Sequence, residues 1–346
     1  MCEITESAFP KCVAVMLAGF GLLCGCAPQQ PVYDESPLGN TSLLPEPDVS
    51  VRIASLSNCT YTDDEELQLN SQEPVTVIVH GCFASAGRFR ALADVFAFHG
   101  QQAICFNYDD RQGLDGSSRS LIVALEQLSE VLDEPAITVI GHSQGGLVAR
   151  RALIEERSDR IDNVRADIDL LTISAPFGGI AAASDCGSKT LAWLSLGLIK
   201  PVCYMVTGQK YRDITANSDF ILEPGQLHRS VSKHFKIETD EENTCRVYGD
   251  SGQCVEDDFV FSVAEQRQQA VDAPTLVSSL LVKAGHVEIV GDEKTIPVKL
   301  IDILQQQGYL RATPVEDQEE FAKLLADLYL SSPATSIAKS YGDQND

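Results

Sequence analysis

A single serine lies between two glycines in the stretch Gly141-His142-Ser143-Gln144-Gly145. The apolar run before it, residues 136–142, predicts a buried strand, and the residues after it predict an apolar helix. A sharp strand-to-helix turn of this kind lifts a serine hydroxyl clear of the sheet and places it at a helix N-terminus, and small residues at Gly141 and Gly145 leave room for the turn. The chemistry that this pattern predicts is nucleophilic attack by Ser143. A glycine-rich structural turn is the alternative.

A serine hydroxyl is a weak nucleophile unless a base takes its proton. Of the six histidines, His286 is the one on a late loop, directly after an apolar run, with an acidic loop between it and Ser143. We therefore predict His286 as the base, and a carboxylate on that acidic loop as the group that orients its ring. Asp258, followed by an apolar stretch and then a polar helix start, is the first choice and Asp257 the second. The loop also holds Asp250 and Glu256.

An earlier apolar run, residues 75–79, ends in His80-Gly81-Cys82. An attacked carbonyl becomes an oxyanion that needs two hydrogen-bond donors about 3 Å away. The backbone N–H of Gln144, next to the nucleophile, is one predicted donor, and that of Cys82 is the other. His80 is predicted to support this turn by hydrogen bonding. If Ser143 is not catalytic, Gly81 serves only to allow a tight turn.

Strands and helices alternate along most of the chain, which predicts an α/β fold with a doubly wound, mostly parallel sheet. We expect the main domain to span residues 51–312, with a helical cap insertion at about 177–234 that contains Trp193. Strand and helix patterns resume after the insertion with "FKIET" and "CRVYGD". Residues 313–346 are predicted to form a C-terminal docking helix and a tail.

Four sequence blocks, "VIVHGC", "GHSQGG", "TISAPFGG" and "AGHVEIV", together resemble the α/β-hydrolase superfamily of the lipase/esterase type, over about residues 75–305. The resemblance implies the α/β-hydrolase fold and hydrolysis of carboxylic esters through an acyl-serine intermediate on Ser143, without a cofactor. In it, Phe177 stands where such proteins often carry a histidine. The substrate that it implies is a small-molecule or lipid ester.

The first thirty residues have a different character. Residues 13–25 are apolar and uncharged, too short to span a bilayer but typical of a secretion signal. They lead into Leu23-Cys24-Gly25-Cys26, which resembles a bacterial lipobox, although the segment before it holds only Lys11 as a basic residue. We expect residues 1–26 to be a signal that ends at a lipidated Cys26, and residues 27–50 to be a flexible tether. Ala27 favours the outer membrane over the inner one by analogy.

The composition of the chain bears on three further points: nucleic-acid partners, disulfides and metal sites. The formal net charge of −24 over 346 residues repels nucleic acid, so we expect no nucleic-acid partner. Eleven cysteines fit an exported protein with disulfides, and the nearest pairs are Cys245/Cys254 and Cys186/Cys203, although spacing leaves the connectivity open. No cysteine and histidine spacing is typical of zinc, so no metal is predicted.

Three functional alternatives remain at this stage. The first is a membrane-tethered lipase or carboxylesterase, in which the apolar insertion lines an acyl pocket. The second uses the same residues on a thioester or an amide, or transfers the acyl group to an alcohol. The third is an inactive member of the fold that serves as a binding module.

Overall fold

The computed structural model describes residues 43–60, 66–82, 85–133, 136–181, 209–249 and 251–330. The predictions for the signal and for Cys26, Cys186, Cys203 and Trp193 lie outside these residues. The domain boundaries remain predictions.

Eleven strands are present in the described residues. In chain order they are β1 (Val49–Val51), β2 (Leu56–Ser57), β3 (Leu67–Leu69), β4 (Val75–Val79), β5 (Gln102–Phe106), β6 (Ala136–His142), β7 (Asp167–Ile173), β8 (Val231–Asp240), β9 (Cys245–Tyr248), β10 (Cys254–Asp257) and β11 (Val277–Lys283).

Eight α-helices are present in the same residues: α1 (Arg90–Phe98), α2 (Leu114–Val131), α3 (Gln144–Ala152), α4 (Ser158–Ile161), α5 (Asp219–Leu222), α6 (Gln269–Asp272), α7 (Val298–Gln306) and α8 (Gln318–Leu330). Short 3₁₀ turns lie at Ala86–Phe89, Glu155–Arg157, Gln209–Arg212 and Val315–Asp317. No described helix combines the length and the apolar character needed to cross a membrane.

The central sheet has seven strands in the order β11-β8-β7-β6-β4-β5-β2. All neighbours are parallel except β2, which pairs antiparallel with β5 at one edge. The mostly parallel sheet that the sequence predicted is therefore confirmed. Because the strands run in one direction, the residues that follow β4, β6, β8 and β11 meet at a single edge of the sheet.

Helices cover both faces of this sheet, which explains why its central strands are continuous apolar runs. In β4, Val77 and Val79 face a core that includes residues of α2 and α3, whereas Ile78 faces a core formed with α1, α7 and α8. All five residues of β4 are buried. Alternate side chains of β4 thus pack into two separate cores, because successive side chains of a strand point to opposite faces of the sheet.

The C-terminal helix α8 packs on the second core. Phe321 is buried and stacks on Phe98 of α1 at a centroid distance of 5.1 Å. Val315 is 82% exposed, because it lies in the 3₁₀ turn before the helix rather than in it.

The segment "CRVYGD" does not continue the parallel sheet. Its strand β9 pairs antiparallel with β10 in a separate two-stranded hairpin, which the Cys245–Cys254 disulfide closes. A second disulfide joins Cys59 to Cys105 of β5. Among the described cysteines, Cys82 is a free thiol.

Candidate active site

Ser143 occupies the strained turn that the sequence predicted. It joins β6 to α3 with φ 56° and ψ −127°, in the left-handed half of backbone space that non-glycine residues rarely adopt. The two glycines around it are required by space. A Cβ on Gly141 would lie 2.6 Å from the Gly145 carbonyl oxygen, and a Cβ on Gly145 would lie 2.2 Å from the Val79 carbonyl oxygen. Close packing against β4 therefore holds the strained turn in place.

The turn after β4 lies directly against this serine. A Cβ built on Gly81 would be 2.9 Å from Cβ of Ser143. Gln144 is the first residue of α3, and N–H groups in the first turn of a helix have no intrahelical acceptor. The structure thus brings the Gly81-Cys82 turn and the start of α3 next to Ser143, where two oxyanion donors would be needed.

His80 stabilises the Gly81-Cys82 turn through its ring and its backbone carbonyl. Its ring is buried and stacks on Tyr108 at a centroid distance of 4.3 Å, and its Nδ1–H donates to the Gly81 carbonyl at 3.0 Å. The Tyr108 hydroxyl donates to the His80 carbonyl at 2.7 Å. Burial lowers the pKa of His80, which keeps the ring neutral near pH 7. These contacts make His80 a part of the scaffold of the turn.

His286 lies in the loop after β11, at the same edge of the sheet. His142, the residue before the candidate nucleophile, contacts it twice: the two ring centroids are 4.8 Å apart, and His142 Nε2 bonds the His286 carbonyl at 3.1 Å. Burial drives the pKa of His142 well below its usual value. A neutral His142 ring thus joins the serine turn to the His286 loop.

The ring of His286 is oriented by Glu241, a residue that the sequence analysis missed. Nδ1 of His286 lies 2.9 Å from Oε1 of Glu241. Because a carboxylate only accepts hydrogen bonds, this contact places the ring hydrogen on Nδ1 and leaves Nε2 of the neutral ring as an acceptor. That tautomer is the one that a general base toward serine requires.

Hydrogen bonds to both carboxylate oxygens hold the side chain of Glu241 in place. It follows β8 by one residue and is buried. Its Oε2 accepts the backbone N–H groups of Val260 and Phe261 at 2.7 and 2.8 Å, and its Oε1 accepts the Thr239 hydroxyl at 2.8 Å as well as the His286 ring. Four donors on one buried carboxylate hold it in a fixed position.

The prediction that Asp258 partners the ring of His286 is wrong, and so is the second choice, Asp257. The Asp258 carboxylate accepts the backbone N–H groups of Val287 and Glu288 at 2.8 to 3.1 Å, and its carbonyl accepts the N–H of His286 at 2.9 Å. Asp258 therefore shapes the loop that carries the histidine. Asp257 is exposed at the end of β10.

The cause of this error lies in the hairpin. The sequence pattern places "CRVYGD" in the main strand-and-helix alternation, next to the predicted acids, whereas the strand of the central sheet is β8 and its next residue is Glu241. A signal was present in the sequence: two cysteines nine residues apart, around Gly-Asp-Ser-Gly, are typical of a closed hairpin. Assigning the hairpin first would have left β8 as the strand that carries the acid.

The comparisons with known proteins identify the family of this chain. The family model described as palmitoyl protein thioesterase matches residues 74–246. This chain belongs to that family. The match covers the turn at His80–Cys82, Ser143 and Glu241, and it ends before Asp258.

Solved structures similar to this thioesterase-family chain are distant in sequence. A mature lipase from Bacillus licheniformis has 15% identity and a TM-score of 0.44, covering 68% of this chain and 92% of its own. A lipase-esterase related protein from Clostridium acetobutylicum has 12% identity and a TM-score of 0.41, covering 76% and 98%. A bromoperoxidase from Bacillus anthracis has 15% identity and a TM-score of 0.40, covering 74% and 100%. The search of curated proteins returned no match.

The family and the sheet together confirm the predicted α/β-hydrolase fold. The chain is an acyl-hydrolase relative whose candidate nucleophile, acid and base follow three strands of one sheet, β6, β8 and β11. In the described parts of the chain, no group of three or more His, Cys, Asp or Glu side chains is placed to hold a metal ion.

Proposed function

We propose that this protein is a serine hydrolase that cleaves acyl esters through a covalent acyl-Ser143 intermediate. The observation that carries the proposal is the buried Glu241–His286 hydrogen bond of 2.9 Å, in a loop that contacts the strained Ser143 turn. A histidine fixed in this tautomer has few structural uses, and the strain at Ser143 persists only because close packing enforces it. Both features are expected where a serine must be activated.

The proposed mechanism has two halves, acylation of Ser143 and hydrolysis of the acyl-serine, and His286 transfers the proton in both. Nε2 of His286 takes the hydroxyl proton of Ser143 as the oxygen attacks the acyl carbonyl, and Glu241 stabilises the imidazolium that forms. The imidazolium then protonates the leaving alcohol. A water molecule, deprotonated by His286, next attacks the acyl-serine and releases the acid. The backbone N–H groups of Gln144 and Cys82 bind the oxyanion in both halves of the reaction.

A thioester is the second candidate substrate class, and the family match favours it. A thiol has a pKa near 8.5 and leaves readily as a thiolate, whereas an alcohol requires a proton from the imidazolium. The same residues can therefore cleave either bond. The insertion residues that the sequence analysis placed in an acyl pocket, among them Trp193, lie outside the described residues, so acyl-chain preference remains part of the proposal.

A matched substrate panel tests the proposal. We expect the purified protein to hydrolyse p-nitrophenyl esters and acyl-coenzyme A thioesters, and we expect kcat/KM to rise with acyl length, by up to about fourfold per buried CH₂. Ser143→Ala, assayed on each substrate, gives the background rate. Rates that peak at the shortest acyl chains would exclude a lipase. A folded wild-type protein inert toward both series would favour the binding-module alternative, and cleavage of amides alone or net transfer to added alcohols would favour an amidase or an acyltransferase.

We also propose that the protein is an exported lipoprotein, anchored through a lipidated Cys26 and more at the outer than at the inner membrane. The lipobox-like end of the signal motivates this proposal, and the two disulfides in the described residues fit an oxidising compartment. The test grows cells with an alkyne-labelled fatty acid and measures its incorporation into the protein and the recovery of the protein in the membrane fraction. We expect both to be lost in Cys26→Ala and kept in Cys24→Ala. Equal labelling of Cys26→Ala and the wild type would refute the anchor.

A further inference from the structure

A buried ion pair lies beside the Gly81-Cys82 turn and takes no part in the mechanism above. Nζ of Lys210 is 2.9 Å from Oδ2 of Asp110, and the Lys210 side chain is only 1% exposed. A buried lysine–carboxylate pair is a costly feature that often gives little net stability over apolar residues of the same size. Its presence at this position calls for a reason other than stability.

The pair contacts both residues whose N–H groups are the proposed oxyanion donors. Nζ of Lys210 donates to Sγ of Cys82 at 2.8 Å. Nε2 of Gln144 donates to the backbone carbonyl of Asp110 at 3.0 Å. The two members of the ion pair therefore connect, through the Lys210 side chain and the Asp110 backbone carbonyl, two residues that are 62 positions apart in sequence and that must hold their N–H groups at a common point.

The lysine itself sits on a fixed support. The Lys210 carbonyl accepts the N–H groups of Asp213 and Ile214, and the Asp213 carboxylate accepts the N–H of Leu114 at the start of α2 at 2.7 Å. Lys210 lies in the C-terminal half of the predicted insertion, so its contacts connect that segment to the Gly81-Cys82 turn. Burial raises the pKa of the Cys82 thiol, which keeps Cys82 a neutral acceptor of the ammonium rather than a competing nucleophile.

We propose that Lys210 and Asp110 are positioning residues that set the spacing of the two oxyanion donors, Cys82 and Gln144. The inference rests on the proposed function, because the oxyanion exists only if Ser143 attacks an acyl group. Preorganised donors lower the barrier only when they are aimed at the developing charge, so a loosened pair should weaken binding of the transition state more than binding of the substrate.

The test removes both charges together, because a single change would leave one charge buried without its partner. In Lys210→Met/Asp110→Asn, we expect kcat for a p-nitrophenyl ester to fall by about 10- to 100-fold while KM stays within about twofold of the wild-type value. Affinity for an alkylboronic acid, whose tetrahedral adduct carries a negative oxygen, should fall by the same factor as kcat. Thermal unfolding confirms that the variant is folded. If it is not, Lys210→Gln/Asp110→Asn, which removes both charges but keeps side-chain N–H donors, is assayed in the same way.

A matched control is the Lys233–Asp169 pair, at 3.1 Å, which is partly exposed near the starts of β8 and β7, away from the catalytic edge. Lys233→Met/Asp169→Asn should leave kcat and boronate affinity unchanged. A folded Lys210→Met/Asp110→Asn variant with kcat and boronate affinity within about twofold of wild type would overturn the positioning role while leaving the proposed function intact. A wild-type protein without activity or boronate binding would overturn both.

Discussion

Ser143→Ala is expected to lower kcat for ester and thioester hydrolysis by about 10⁶-fold. The loss is this large because alanine removes the atom that forms the acyl-enzyme, so the base, the acid and the oxyanion donors have no attack to assist. The residual rate should remain above that in water, since bound substrate still meets the donors at Gln144 and Cys82. Steady-state kinetics on the same p-nitrophenyl ester gives the ratio.

The control for this variant is a serine that is remote from the site. Ser278 is exposed near the start of β11, at the other end of that strand from His286, and Ser278→Ala should retain the wild-type rate. Thermal unfolding of Ser143→Ala should stay close to that of the wild type, because alanine can occupy the same backbone conformation at similar cost. Residual activity above about 1% of the wild-type value would show that another residue is the nucleophile.

Glu241→Gln is expected to lower kcat/KM by about 10⁴-fold, although the change adds no bulk. The backbone N–H groups of Val260 and Phe261 already hold one side-chain oxygen, so the glutamine oxygen must take that place. The amide nitrogen then faces Nδ1 of His286. Because an amide N–H only donates, the ring must carry its hydrogen on Nε2, where it cannot accept the proton of Ser143.

Asp258→Asn is the comparison that separates the two carboxylates. Asp258 holds the backbone of the His286 loop at Val287 and Glu288, so its loss should move the ring without changing its tautomer, and we expect a decrease of at most about 10²-fold. The two variants are compared by kcat/KM at one pH. A larger loss in Asp258→Asn than in Glu241→Gln would return Asp258 to the role that the sequence first indicated.

The parts of the fold that follow local rules were predictable from sequence. The strands β4, β6 and β7 are rich in β-branched and other apolar residues. Gly141 and Gly145 mark the serine turn, because a side chain at Gly141 would meet α3 and one at Gly145 would meet β4. Pattern alone also located His286, since it follows the last apolar strand. These features depend on residues close together in the chain.

The parts that depend on long-range pairing were not predictable. Whether "CRVYGD" joins the parallel sheet or a hairpin is decided by its partner, β10, and that choice moved the acid from Asp258 to Glu241. The ion pair of Lys210 and Asp110 spans 100 positions and gives no sequence pattern, because a lysine in a polar segment usually lies on the surface. Only the folded chain shows that it is buried beside Cys82.

The central claim is that His286, oriented by Glu241, makes Ser143 a nucleophile, and fluorophosphonate labelling followed by peptide mass spectrometry tests it most directly. We expect the wild-type protein to carry one phosphonyl group, on the peptide that contains Ser143, and we expect labelling to slow strongly in His286→Ala and in Glu241→Gln. Label on a different residue, or equal labelling rates in the wild type and in folded His286→Ala, would contradict the account.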